Sequence, residues 1–579
     1  METLKLRAGT EAGQREQVAA DPPCAVSSPG LASNRYRGLL MLGVMALMCT
    51  VAARGIRRGE FDFNVDEAQH AVTGLFVADA IHDLPLRHPA QYAYRYYAQY
   101  PAIAIVHWPP LFYVFEGLSF LTLGRSVVAA RLTILLFSVL LCYQWFKLVE
   151  ELHDPFTAAV STAMLSLLPT ILLFEKTVML EIPSLALTVA SIRAWIQYLG
   201  EGRRVSIYRF ALWLSAAMLC KQNSIYVLVF CVLSLVATRR WERVWKRDVF
   251  IAAGLFVALV GPFYLLMLVS NGRSVARDLG SHQLSGLQRF GFYWAVLPGA
   301  LSILILGLSI LGLVMSHRWN NKGQTPLMVS WILAGYFTFT FFGQSEPRFA
   351  VYWLPPLVYF AAGLLIKGFH TPLLQISMRA LAAAIVALMA VRAWAYERPY
   401  IAGYEATAAR LVTTYRSGIV LFDGKVPGNF VFFMRALDPR RQFLVLRKSL
   451  YISDVRKNKY REEEELLHGR EELQNLFRND GIRFVVASDG IALDFESEVS
   501  LRECLRSDQF RLLGRFPIQS NEPSWQHTGL LLYENKQWAP PTDSVLRLRM
   551  LTLNHDIVVP MGSFDFVQKQ SPATHTGTQ

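Results

Sequence analysis

Asp62, Asp66 and Glu67 fall within FDFNVDEAQH (61–70), directly after an apolar stretch long enough to enter a bilayer. Three further stretches set ionisable side chains beside apolar runs. They are Glu175, Lys176 and Glu181 in FEKTVMLEIPS (174–184), Lys221 in CKQNS (220–224), and Glu346 and Arg348 in GQSEPRFA (343–350). Charges at membrane depth are costly and usually face a cavity or one another. Carboxylates can take a proton or hold a cation, while Lys and Arg can neutralise an anion, Arg through a planar fork that suits phosphate. Each stretch also has a plainer reading. Asp66 and Glu67 could be a solvated helix cap, Glu181 a first-turn charge favoured by the helix dipole, and Lys221 and Arg348 snorkelling cations at span ends.

The elements that must position these residues are membrane helices. The chain has 579 residues, 53% of them hydrophobic, with a mean hydropathy of +0.29, which is too apolar for an ordinary soluble protein. Runs near the length of a bilayer crossing recur at 38–54, 127–148, 157–174, 184–199, 209–220, 224–238, 249–270, 292–315, 326–343, 349–366 and 374–395. The net charge of +13 matters less than its placement. The basic loops 201–209, 239–247, 317–323 and 367–370 sit at every second turn, which predicts about 11 spans, a cytoplasmic N-terminus and an extracytoplasmic C-terminus. PPLFYVFEGLSFLTLG (109–124) would invert that alternation as a full span, so it is read as a short juxtamembrane helix within a first outer loop at 55–126. Residues 1–36 read as a disordered cytoplasmic tail and 37–395 as the membrane domain. From 396 to 555 the composition becomes that of a soluble α/β domain, and 556–579 read as a disordered tail. SGIVLFDG, NFVFFMRAL, RQFLVLR, IRFVVASD, FRLLGRFPI and GLLLYEN read as strands, and REEEELLHGREELQNLFRND as a charged helix. The six cysteines lie far apart and set up no disulfide framework.

The order of motifs carries a resemblance. A DE pair after the first span (Asp66–Glu67) is followed by the Pro-bearing HWPPLFYVFEGL, the acidic-Ile-Pro motif MLEIPS and a later lysine, Lys221. Over about 38–395 the chain resembles the membrane-embedded GT-C glycosyltransferases, specifically the protein O-mannosyltransferase and aminoarabinose-transferase group. That resemblance implies a polytopic helical fold in the bacterial inner membrane. It also implies inverting transfer of a hexosyl or pentosyl group from a polyprenyl-phosphate carrier to an acceptor hydroxyl on a protein, lipid or glycan. It gives Asp66 the role of general base and Glu67 that of orienting it or binding sugar. Glu181 stands at the second acidic position, usually Asp, and would contact the acceptor or share a divalent cation with Asp66; no cofactor is otherwise implied. Lys221 and Arg348 would neutralise the lipid phosphate. Where relatives often carry Lys before the first Pro, this chain has Trp108 preceded by His107, which could replace the lost phosphate contact. Trp108, Tyr97 and Glu346 are candidates for substrate contact, though tyrosines in QYAYRYYAQYP (91–101) also serve as interfacial anchors.

Other readings are weaker. His82, His88 and His107 with Asp83 lack the ligand spacing of a helical metal site. No P-loop or GxGxxG lies in a strand–turn–helix setting, and no nucleic-acid partner is expected. A transporter or lipid-linked sugar flippase with a carboxylate relay is the alternative; it would be expected to carry mid-membrane charges and an internal repeat. A purely structural membrane protein would leave Asp66, Glu181 and Arg348 unexplained.

Overall fold

The structure is a computed structural model that describes residues 31–568, apart from 62–64, 105, 281–283, 285, 320–322, 342–344, 449–451, 458–459, 491–492, 494 and 551–554. Asp62, residues 1–30 of the expected N-terminal tail and residues 569–579 of the expected C-terminal tail lie outside the described residues. In chain order the helices of the first part are α1 (Leu31–Ala53), α2 (Val65–Asp83), α3 (Pro89–Gln99), α4 (Leu111–Leu123), α5 (Val127–Leu152), α6 (Pro155–Ser166), α7 (Pro169–Glu175) and α8 (Glu181–Glu201). They continue with α9 (Arg204–Cys220), α10 (Tyr226–Thr238), α11 (Arg247–Gly280), α12 (Gly286–Leu301), α13 (Ile303–Met315), α14 (Gln324–Phe341), α15 (Leu354–Lys367) and α16 (Pro372–Ala395). Helix α1 begins at Leu31, so residues 31–36 are helical rather than part of a tail.

All eleven apolar runs are helical over most of their length. Among the described residues, five helices are long and apolar enough to cross a membrane, or seven if each of two bent pairs is one span. Two of the expected spans, 157–174 and 292–315, are bent. Helices α6 and α7 meet at 72°, where Pro169 ends one ladder and starts the next. Helices α12 and α13 meet at 113°. Ser302 makes that corner, with φ at 74° and a hydroxyl that accepts the Ile305 N–H. The 109–124 run is α4, whose 13 residues are too few to cross.

The bundle has two chemically different ends. At one, the basic loops meet: Lys367 pairs with Asp154 at 2.9 Å, Arg37 with Glu150 at 2.7 Å, and Arg240 donates to the Leu199 carbonyl. At the other end lie α2, α4, the 176–180 turn and the soluble domain. A 3₁₀ turn, Pro347–Trp353, runs into α15, and residues 349–366 of this pair are buried at the centre of the bundle, whereas α1, α11 and α16 are peripheral.

The soluble domain carries α17 (Tyr404–Thr414), α18 (Pro427–Leu437), α19 (Gly469–Asn479), α20 (Glu496–Arg506) and α21 (Asp565–Gln568). Its strands are β1 (Ile401–Ala402), β2 (Gly418–Asp423), β3 (Phe443–Arg447), β4 (Ile452–Lys457), β5 (Tyr460–Glu465), β6 (Ile482–Asp489), β7 (Phe510–Pro517), β8 (Gln519–Ser520), β9 (Gly529–Asn535), β10 (Val545–Met550) and β11 (His555–Pro560). The main sheet has the order β3-β2-β6-β9-β7. Three sequence expectations change here. NFVFFMRAL is helix α18, not a strand, because β2 and β3 are parallel and need a crossover between them. REEEE is strand β5, paired antiparallel with the neighbouring β4; the helix starts only at Gly469. Residues 555–568 are not a disordered tail: β11 pairs with β10, and Ile557, Val559, Phe564 and Phe566 are buried.

Helix α2 joins the two parts. A Cβ on Gly74 would collide with the Glu116 carboxylate of α4, and one on Gly428 of α18 would stand 2.9 Å from Ala68. Both glycines allow a close backbone approach that a larger residue would prevent. Buried Asp79 then accepts from Arg435 Nε and Nη2, both at 2.6 Å, from Arg125 at 2.9 Å and from Tyr96 at 2.8 Å.

Candidate active site

Asp66 and Glu67 occupy the first turn of α2, where the helix dipole favours negative charge. Glu67 is fully buried, and its Oε1 accepts the Val178 N–H at 3.0 Å. Its Oε2 stands 3.8 Å from Arg398 Nη1. Glu67 therefore ties α2 to the 176–180 turn and to the linker entering the soluble domain.

Asp66 faces the cleft. Its Oδ2 accepts from Arg348 Nη1 at 2.8 Å. Arg348 is delivered by the 3₁₀ turn before α15; its Nε touches Glu346 and stands 3.8 Å from Glu181 Oε1. Glu181 opens α8, and its Oε1 accepts from Lys221 Nζ at 2.6 Å. Lys221 sits at the C-terminal end of α9, buried, 5.6 Å from the Trp108 ring. Asp66, Glu67, Glu181, Lys221, Glu346, Arg348 and Trp108 thus converge from five separate stretches, although Asp66 and Arg348 are 282 residues apart. Asp66, Glu67, Glu346 and Arg348 line a cleft of about 460 Å³ whose other walls include Leu173, Phe174, Met179 and Pro347. It joins paired charges to an apolar wall.

Burial opposes the charge on Asp66, but His70, Arg348 and Lys221 outweigh it and hold this carboxyl below the usual range. Asp66 is therefore ionised at neutral pH. His70 lies one turn along the same face of α2, a spacing already present in DEAQH. Its Nδ1 is 2.7 Å from the Tyr113 hydroxyl, its ring is 5.8 Å from Trp108, and burial pushes its pKa down to about 4. His70 and Tyr113 are parts of the site that motif reading missed.

Two candidates lie elsewhere. His107 packs edge-on against Trp108, with ring centroids 4.8 Å apart, and does not line the cleft. Tyr97 is buried on α3, which packs on β3 rather than in the cleft. The residues do not fit a divalent cation shared by Asp66 and Glu181, because Arg348 stands between the two carboxylates and Lys221 already occupies Glu181. His82 and Asp83 lie at the opposite end of α2 from Asp66, where Asp83 is held by Tyr92 and Arg441. Among the described residues, the group of three with metal-ligand spacing is Glu465, His468 and Glu496 in the soluble domain, and Glu465 there already accepts from Ser497 N and Oγ.

The fold has solved counterparts. The chain is similar to ArnT from Cupriavidus metallidurans bound to undecaprenyl phosphate, with a TM-score of 0.59 and 11% identity over 88% of this chain and 100% of that one. The apo form of ArnT gives a TM-score of 0.57 and 12% identity, over 86% and 98% of the two chains. The arabinofuranosyltransferase AftD from Mycobacteria gives 0.51 and 14%, over 90% of this chain and 43% of that one. At such identities the likeness is one of fold alone. Residues 107–265 also match the dolichyl-phosphate-mannose-protein mannosyltransferase family. No curated protein matches the chain by sequence.

Proposed function

We propose that the protein transfers a sugar from a polyprenyl-phosphate-linked donor to an acceptor hydroxyl, with inversion, at the extracytoplasmic membrane face. The observation that carries this reading is the Asp66–Arg348–Glu181–Lys221 cluster, in which Asp66 and Arg348 line the cleft and Glu181 and Lys221 are joined to them just behind it. In the reaction the acceptor oxygen attacks the anomeric carbon while Asp66 takes its proton. The bond from that carbon to the lipid phosphate breaks on the opposite face, and the phosphate leaves with the electron pair. Arg348 and Lys221 offset the charge that grows there.

The pairing of Arg348 with Asp66 suggests the order of events. While Arg348 holds Asp66, the carboxylate is a poor base. An incoming donor phosphate draws the guanidinium to itself, which frees Asp66 for the acceptor. Glu67, fixed by the Val178 N–H, positions the first turn of α2 and so the base. Glu181 holds Lys221 towards the same phosphate.

Asp66→Asn keeps the shape but cannot take the proton, and loss of a general base costs about 10²–10⁴ in rate. The expected signature with purified protein is normal expression and donor binding with transfer nearly abolished; Glu67→Gln should be milder. Transfer by Asp66→Asn within about threefold of wild type, well short of the usual loss, would show that Asp66 is not the base.

A further inference from the structure

A second cavity, about 100 Å³ in volume, lies where α1, α5 and α7 end against the 396–400 linker. It shares no lining residue with the cleft. Arg54, Arg58, Arg131, Lys176 and Arg398 line it, against Glu175 and Glu397. Glu397 is already engaged by Arg58 at the surface. Arg131, Lys176 and Arg398 are buried, and a buried cation is normally fully paired.

Arg398 donates to the carbonyls of Pro399, Arg58 and Glu60, but Arg131 and Lys176 are not fully paired. Arg131 donates through Nη1 and Nη2 to the carbonyls of Ile56 and Glu60, yet its buried Nε has no hydrogen-bond partner. The Lys176 ammonium has three donors, and its one recorded hydrogen bond is a long one, 3.4 Å, to the Arg54 carbonyl. One oxygen of the buried Glu175 carboxylate is unmet as well, but five cations face two carboxylates around a space that exceeds the ~10–15 Å³ needed by one water, and that balance fits an anion.

The position of the cavity narrows the class. Helices α1 and α16 are peripheral and expose most of their surface, so the cavity opens beside lipid. Arg54 lies 4.5 Å from the centre of the exposed Trp394 ring, and Lys176 lies 5.9 Å from that of Tyr396. Aromatic residues at helix ends mark headgroup depth. We infer that this cavity is a phosphate subsite, distinct from the catalytic cleft, that takes the phosphate of an anionic lipid headgroup or a free phosphate ion. Arg398 links it to the reaction centre, since its guanidinium also faces Glu67 at 3.8 Å.

The test uses full-length protein in an uncharged detergent, with native mass spectrometry reading bound phosphatidic acid against phosphatidylcholine. Wild type should retain phosphatidic acid preferentially. Arg54→Gln, at an exposed side chain, and Lys176→Gln should each weaken retention about tenfold, the scale of one charge-assisted hydrogen bond. Arg87→Gln, exposed and remote from the cavity, should not. Competition by millimolar inorganic phosphate would show that the site reads phosphate itself; retention of lipid despite phosphate would assign it to the headgroup with its chains. Equal retention of both lipids by wild type, or undiminished retention in both cavity variants, would overturn the proposal.

Discussion

Arg348 is the most connected residue of the proposed site, since it touches Asp66, Glu346 and the edge of Glu181 at once. Arg348→Ala should raise the donor KM about 10- to 100-fold, as expected for losing charge-assisted contacts of 1.5–3 kcal/mol. Arg348→Lys should recover only part of this, since a point charge cannot replace the fork. Wild-type rates for Arg348→Ala at limiting donor would reduce this residue to a strut. The sequence showed which residue types stood near span ends, and chemical type together with motif order singled out Asp66, Glu181, Lys221 and Arg348 as candidates, which the structure brings together. It could not show that the cations were already taken by carboxylates, because a pairing across 282 residues depends on how helices stack. His70 was legible one turn from Asp66, yet its hydrogen bond to Tyr113 depends on where α4 packs.

At the scale of elements, α2 acts as the hinge pin between bundle and soluble domain. Buried Asp79 is met by Arg435, itself 1% exposed. Asp79→Asn would leave that guanidinium uncompensated, a loss of about 3–5 kcal/mol for a broken buried pair. The expected result is a lower melting temperature and faster proteolysis near residues 396–404, with the sheet of the soluble domain intact by circular dichroism. An unchanged melting temperature would show that the joint is held by the packing of Gly428 on Ala68 instead. The elements that misled sequence reading were those decided by neighbours. An apolar run such as NFVFFMRAL suits strand or helix equally, and only the parallel pairing of β2 with β3 makes it a helix. The REEEE charge run has helical propensity, yet antiparallel pairing with the strand just before it, Ile452–Lys457, captured it.

For the whole molecule, hydropathy and the spacing of basic loops were the most legible features, since bilayer thickness and charge placement act on sequence directly. What they missed was geometry: the 113° corner at Ser302 has no hydropathy signature. The remaining question is which way the bundle faces. Its basic loops gather at one end and its charged cleft at the other, so the cleft and soluble domain should face away from the cytoplasm. Single cysteines at two exposed sites test this in a background without the native cysteines. Glu471→Cys in α19 should react with a membrane-impermeant maleimide in intact cells. Glu242→Cys, between α10 and α11, should react only after the membrane is opened. Both labelled from outside, or Glu242→Cys alone, would invert or break the alternation. The cleft would then face the cytoplasm, where an extracytoplasmic acceptor could not reach Asp66.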